Sequence, residues 1–279
     1  MFDAPREGEF TQGTVFSCAY AEDYPLRPAY GLVITARCDA VQDKTPIFSY
    51  LPIISLKDWM LCDGANIVMD RIRAACKGEV RKALKDASLS ESLLETKTMD
   101  EIYQSHFKSR EVEKAWASRC VKLQATINSL AQIQQLRDAP DLLEQRRLHL
   151  VGNTSVVDVV LKELSGNRLA GFYLLREMPS LSGELESFVA LLREIHHIPT
   201  GLTREIVAGL AKDAWAARAE GQRCPRYVDT DDLAAPVAKL KSPWIEHVMQ
   251  NFTMLFARIG VADNDFSAVK QSLSPIGLG

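Results

Sequence analysis

The sequence predicts an α+β protein in which a small β-barrel, assembled from both ends of the chain, is interrupted by a large helical insertion. Three features carry this. Short β-forming runs separated by polar turns crowd residues 14–54. From Gly64 to Arg137 the apolar residues recur mainly at three- and four-residue steps. Beyond residue 165 strand-like runs return, and the last strong signal is one amphipathic helix. The barrel module is therefore assigned to residues 1–62 plus 165–279, and the insertion to 63–164.

The first strand is expected over Thr14–Tyr20, which is dense in β-formers, and the second over Tyr30–Thr35, with Gly31, Leu32, Val33 and Ile34 as a buried run. Asp43, Lys44 and Thr45 make a turn into a third strand, Ile47–Ile54, with Pro52 near its end. Ser55–Trp59 closes this part as a short helical turn. In the insertion, Val68, Ile72, Ala75, Cys76, Val80 and Leu84 share one helical face. A second helix is expected within Ser88–Phe107. A third runs from about Arg110 to Arg137 on Trp116, Cys120, Leu123, Ile127 and Leu130, and Pro140 stops it. The two long helices make a hairpin whose exposed side mixes Arg81, Lys82 and Lys85 with Glu79 and Asp86, the pattern of a solvated face.

Val156–Leu164 reads as a helix closed by Gly166. Phe172–Leu175 and Phe188–Ile195 read as strands, Thr203–Ala219 as a helix, and Tyr227–Val237 as irregular chain with one edge strand. Pro243 to Ile259 carries the apolar stripe Ile245, Val248, Met249, Phe252, Leu255, Phe256 and Ile259. Ser242 suits the N-cap and Gly260 the C′ position.

The composition is that of an ordinary globular chain: 279 residues, 47% hydrophobic and 25% charged, with a net charge of −3. A net-negative chain lacks the global basic surface of a nucleic-acid binder, so any such contact needs a local patch. No apolar run reaches the roughly 20 residues that span a bilayer, so no membrane association is expected. The six cysteines are widely and irregularly spaced, which implies reduced thiols in a cytoplasm. No spacing marks a metal site, and no cofactor is indicated.

Two ends of the chain resemble one known family. Gly13-Thr14-Val15-Phe16, Arg27-Pro28-Ala29-Tyr30-Gly31-Leu32-Val33-Ile34 and Tyr50-Leu51-Pro52-Ile53-Ile54-Ser55 are similar to the opening strands of the MazF/PemK-like toxins, with Thr14 where that family has aspartate. Ser187–Ile195 is similar to a later strand of that family. Val237-Ala238-Lys239-Leu240, with the helix that follows, is similar to its end. The resemblance implies an SH3-like barrel with a terminal helix and metal-independent cleavage of single-stranded RNA. In that chemistry an arginine and a hydroxyl act on the scissile phosphate, and Arg27 and Ser55 match those positions. Val33–Asp39 and Ser242-Pro243-Trp244-Ile245-Glu246-His247-Val248 also resemble a group of larger bacterial proteins associated with mobile or defence-related loci.

Other candidates are substrate- or partner-binding. Arg37, Cys38, Asp39 and Lys44 cluster beyond the second strand. Glu194 and His196 share a face at a strand end, where histidine can serve as acid or base. Cys38 with His196 would make a hydrolase only if the two met in space. Two functions compete: a toxin-like RNA endonuclease of a bacterial defence or toxin–antitoxin system, and a non-enzymatic interaction component of a multi-subunit, anti-phage complex. The second takes a protein partner or a second copy of the chain through the insertion; the first takes RNA.

Overall fold

In the strand-forming runs, alternate residues are large and apolar, and a pleated strand sends them all to one face. In the computed structural model, which describes residues 1–38, 45–139, 142–180, 183–217, 223–228 and 231–256, these faces line one antiparallel barrel. Its strands are β1 (Phe2–Asp3), β2 (Thr14–Phe16), β3 (Ala29–Val33), β4 (Ile47–Ser55), β5 (Phe172–Pro179), β6 (Leu185–Leu191), β7 (His196–Pro199) and, after a small β8 (Leu210–Ala211) and β9 (Leu233–Ala234) ribbon, β10 (Pro236–Leu240). The order is β1-β10-β2-β3-β4-β6-β5, with β7 also on β4. The barrel is nearly closed: the amide of Arg176 on β5 lies 3.3 Å from Met1 Sδ beside β1.

The interior holds Val15, Leu32, Leu51, Ile53, Leu175, Phe188, Ala190, Ala238 and Leu240, so both chain ends contribute to one core. The final helix, Trp244–Phe256, covers this core with Ile245 and Val248 buried, as the stripe predicts.

The strand β4 carries pairing on both edges. Ala29–Val33 pair with Ile54–Tyr50 on one side. On the other, β7 takes Ile47–Tyr50 and β6 takes Ile53–Ser55, which leaves Leu51 and Pro52 between them. The Ser49 carbonyl accepts from Ile34 on the β3 side. Backbone groups alternate along a strand, so Pro52 faces the other edge, where the gap lies. A proline inside a central strand is thus tolerated, because its missing N–H falls where no partner strand runs.

Helices occupy the chain between β4 and β5: α1 (Leu56–Trp59), a π-helical turn (Met60–Gly64), α2 (Ala65–Asp86), α3 (Leu93–Thr96), α4 (Met99–His106), α5 (Ala117–Asp138), α6 (Leu143–Val151) and α7 (Thr154–Ser165). Ion pairs Asp70–Arg137, Glu79–Lys122 and Asp86–Arg119 run antiparallel between α2 and α5, as a hairpin requires. Near the barrel, Val68, Met69, Ile133, Leu136, Val160 and Leu164 pack on Ile54, Val189 and Leu191. At the far end Val80, Leu84, Ile102, Tyr103, Phe107, Cys120, Leu123 and Ile127 form a separate core. The apolar stripe of α5 is therefore buried within the chain rather than reserved for a second copy.

Several expected boundaries shift for identifiable reasons. The first strand ends at Phe16, because the chain then leaves the sheet and Cys18 takes φ +60°. The helix within 88–107 is two short ones, the second begun by a Thr98–Glu101 capping box. The strand expected over Phe188–Ile195 stops at Leu191, bulges away from β4 and rejoins the same edge of β4 in the same direction as β7, so Glu194 lies in the bulge and not in one strand with His196. The helix expected from Thr203 begins at Thr200 as α8 (Thr200–Ala208) and breaks at Gly209, whose φ of +86° no helix accommodates; α9 (Lys212–Ala216) follows β8. The final helix, α10, starts at Trp244, and the Ser242 hydroxyl donates to Glu246 Oε1 (2.6 Å). Asp39, Asp43, Lys44, Pro140, Ile259 and Gly260 lie outside the described residues.

Gly31 marks the tightest point of the sheet. A Cβ there would lie 2.2 Å from Phe16 Cε1 and 3.0 Å from Tyr50 Cδ2, two rings packed edge-on with centroids 5.1 Å apart. Both rings are fully buried, so neither can move away. Gly31→Ala is expected to cost about 1–3 kcal/mol, measured as a lower urea midpoint with unchanged slope; stability within about 0.5 kcal/mol of the parent would contradict this packing.

Candidate functional site

Ser55 ends β4 and caps α1. Its Oγ accepts the Asp58 amide hydrogen (3.0 Å) and donates to Asp58 Oδ2 (2.7 Å). Serine followed three residues later by a carboxylate is a helix-start pattern, and the first bond is the N-cap bond it predicts; the second runs between the two side chains and not back to the Ser55 backbone amide. The other carboxylate oxygen, Asp58 Oδ1, pairs with Arg27 Nη1 at 2.9 Å. The side chains of Arg27 and Asp58 keep only 30% and 14% of their exposure, so the pair is sheltered from solvent. The two residues expected to act together do converge, but on a shared carboxylate rather than on open space.

The segment between β2 and β3 lies over the outside of the sheet. Ala19 and Tyr20 pack with Tyr50, and Ala21 and Tyr24 with Ile54 and Trp59. Tyr20 and Tyr50 lock together, the Tyr20 amide donating to the Tyr50 hydroxyl (3.2 Å). Glu194 Oε1 accepts from the Glu22 amide and contacts His196 Nε2, both at 2.6 Å. The His196 ring packs edge-on against Tyr20 at 5.0 Å and tilted against Tyr50 at 5.6 Å. Glu194 and His196 are thus held as a pair beneath the segment that carries Arg27.

Further carboxylates gather here. Tyr24 donates to Asp63 Oδ2 at 2.7 Å. Burial pushes the Asp63 carboxyl above its ordinary value; the Tyr24 hydroxyl opposes this, and the charges of Asp23 and Glu194 add to it. The carboxylates around Arg27 are largely engaged: Asp58 pairs with Arg27 itself and Glu22 with Arg223 at 2.9 Å. Arg146 is nearly fully buried behind the π-helical turn, donating to the carbonyls of Leu61 (3.4 Å) and Leu136 (3.1 Å).

Arg37 and Cys38 follow the far end of β3 from Arg27. The five residues of β3 separate the two ends by about 16 Å at 3.3 Å per residue. Arg37 lies in the electrostatic range of Lys239 and Glu246, and Cys38 is exposed. They do not join the Arg27 group. Asp39 and Lys44 lie outside the described residues. Two other cysteines are chemically quiet: burial, with the Asp231 charge, lifts Cys18 to about 12, and burial lifts Cys224 to about 11. Among the described residues no three His, Cys, Asp or Glu side chains are placed to hold a metal ion, and no helix is long and apolar enough to cross a membrane.

Sequence reasoning missed Asp58, Asp63, Tyr20 and Tyr24. Only Asp58 had a local signal, its spacing from Ser55; the others act across long sequence separations. The fold and site define a mixed helix-and-sheet protein with a nearly closed antiparallel barrel and a covered Arg27–Asp58–Ser55 cluster beside it. The chain matches no protein-family model, no curated protein and no solved structure.

The raised Asp63 carboxyl has a consequence for stability. The folded state holds this proton to higher pH than the unfolded state does, so the contribution of Asp63 falls as pH rises through the window above its ordinary value of 3.8. Asp63→Asn keeps an acceptor for Tyr24 without the charge. It is expected to gain stability relative to the parent as pH rises from about 4 to 7, read from urea midpoints at each pH; a difference that stays flat or shrinks would contradict the assignment.

Proposed function

We propose that the protein is a non-enzymatic interaction component of a larger assembly, with the barrel as its scaffold. One observation carries this: Asp58 engages both the Arg27 guanidinium and the Ser55 hydroxyl. An arginine that stabilises a phosphate in cleavage must present its donors to phosphate oxygens. Here a carboxylate occupies that place, and the nearby Asp63 and Glu194 carboxyls add acidic groups that disfavour a nucleic-acid backbone. The helices between β4 and β5 offer surface for a partner, with Leu148, Val151 and Val159 exposed on α6 and α7. The resemblance to toxin-like and defence-associated bacterial proteins suggests an anti-phage or toxin–antitoxin setting for that assembly.

A second reading, a metal-independent RNA endonuclease with a MazF-like barrel, is favoured by the same convergence. A substrate phosphate displacing the Asp58 carboxylate would meet Arg27 and Ser55 together. The two readings separate in a cleavage assay on single-stranded RNA with metal chelated, using the parent, Arg27→Ala and Asp58→Asn. The interaction reading expects all three to stay at the no-protein background. Cleavage by the parent that falls at least about 100-fold in folded Arg27→Ala, or cleavage that appears when Asp58→Asn releases Arg27, would overturn it in favour of the endonuclease.

A further inference from the structure

The distal end of the helical hairpin contains a cavity of about 250 Å³ between α2 and α5. Its apolar part is formed by Phe107, Trp116 and Leu123, and Phe107 and Leu123 are themselves buried in the distal core. Two guanidinium groups hold the Trp116 ring, Arg110 at 4.7 Å and Arg119 at 5.1 Å from its centroid. Cation–π contacts of this kind keep an indole in place at a partly exposed position. The cavity is therefore a formed depression with a fixed aromatic wall.

Its polar lining has an uneven charge. Lys82, Arg119 and Lys122 stand against Glu79 and Asp86, three cations to two anions. Glu79 is taken by Lys122, and Asp86 lies 3.7 Å from Arg119. The remaining lysine is Lys82, which is exposed at the rim and shares the field of Glu79 with Lys122, the cation that holds that carboxylate. The cavity lining thus carries one more cation than anion, placed beside its apolar part.

We propose that this cavity binds a small amphipathic carboxylate, an apolar ring or chain with one negative group, the ring against Trp116 and Phe107 and the carboxylate at Lys82. Burying the ring supplies most of the affinity, and the lysine selects the sign of the charge. The proposal does not depend on the function of the barrel, because the cavity lies in the separate distal core. The same chemistry can come from a free aryl or alkyl acid or from the C-terminal residue of a peptide.

The test uses the full chain, with binding read from the perturbation of the Trp116 indole N–H in NMR titrations. The probes are 3-phenylpropionate, its charge-reversed analogue 3-phenylpropylamine, and a short peptide ending in phenylalanine with a free or an amidated terminus. Saturable binding of 3-phenylpropionate in the micromolar to millimolar range is expected, weakened at least about tenfold in Lys82→Glu and lost in Ala83→Leu, which fills the cavity. The amine and the amidated peptide are expected to bind at least about tenfold more weakly than their acids. Tighter binding of the free-terminus peptide than of 3-phenylpropionate would identify a chain terminus as the source; the reverse would identify a free acid. Failure of both acids to saturate, or equal binding of acid and amine, overturns the proposal. Unfolding midpoints of both variants establish that lost binding is not lost structure.

Discussion

The structure depends on the pairing of β4 with strands from both ends of the chain. One edge of this strand is covered by β3, close in sequence, and the other by β6 and β7, more than 130 residues further on. Backbone groups that leave water must find partners, and a buried strand with one edge bare would forfeit several hydrogen bonds at once. The late strands are therefore required to complete the early ones. The interior confirms the same dependence, since Leu51 and Ile53 from the first part share a core with Phe188, Ala190 and Leu240 from the last.

The site follows from where β4 ends. Its last residue, Ser55, is both the final paired position on β6 and the cap of α1, so the helix start is tied to the barrel rim. That brings Asp58 under Arg27, which enters from the turn before β3. The segment carrying Arg27 is itself fastened across the sheet by Tyr20, Glu22 and Tyr24, each bonded to a different element. Rigid placement of this kind favours a fixed ion pair over an open catalytic arginine, since a phosphate must displace a carboxylate already held by two neighbours. The distal cavity has a different origin. It lies where the long hairpin has left the barrel and built a second small core, so its chemistry is set by α2, α5 and the connection between them that carries Phe107 and Trp116.

Much of the barrel was legible in the residues. Runs such as Tyr30–Ile34 and Ile47–Ile54 are rich in β-formers, and the helical period of α2, α5 and α10 comes from their apolar faces, although Ala75 in the middle of the α2 stripe is exposed between the two cores. What escaped depended on single backbone positions or on distant partners. Gly209 breaks a helix whose apolar spacing runs on past it, and the bulge after Leu191 interrupts a run of strand-forming residues. The strand at Phe2–Asp3 has no pattern of its own and exists because β10 offers it an edge. At the site, the convergence of Arg27 and Ser55 was visible only through the family resemblance. The Glu194–Glu22 contact joins residues 172 positions apart, and no local spacing encodes it.

Strands from the two chain ends form one cooperative barrel. Native-state amide hydrogen exchange across a denaturant series tests it directly, because segments that open together share one opening free energy and one denaturant slope. The amides of β3 and β4 are expected to merge with those of β6 and β10 into a single global isotherm. A set in which β6 and β10 open at clearly lower free energy, while β3 and β4 stay protected, would show two separable units and contradict the account.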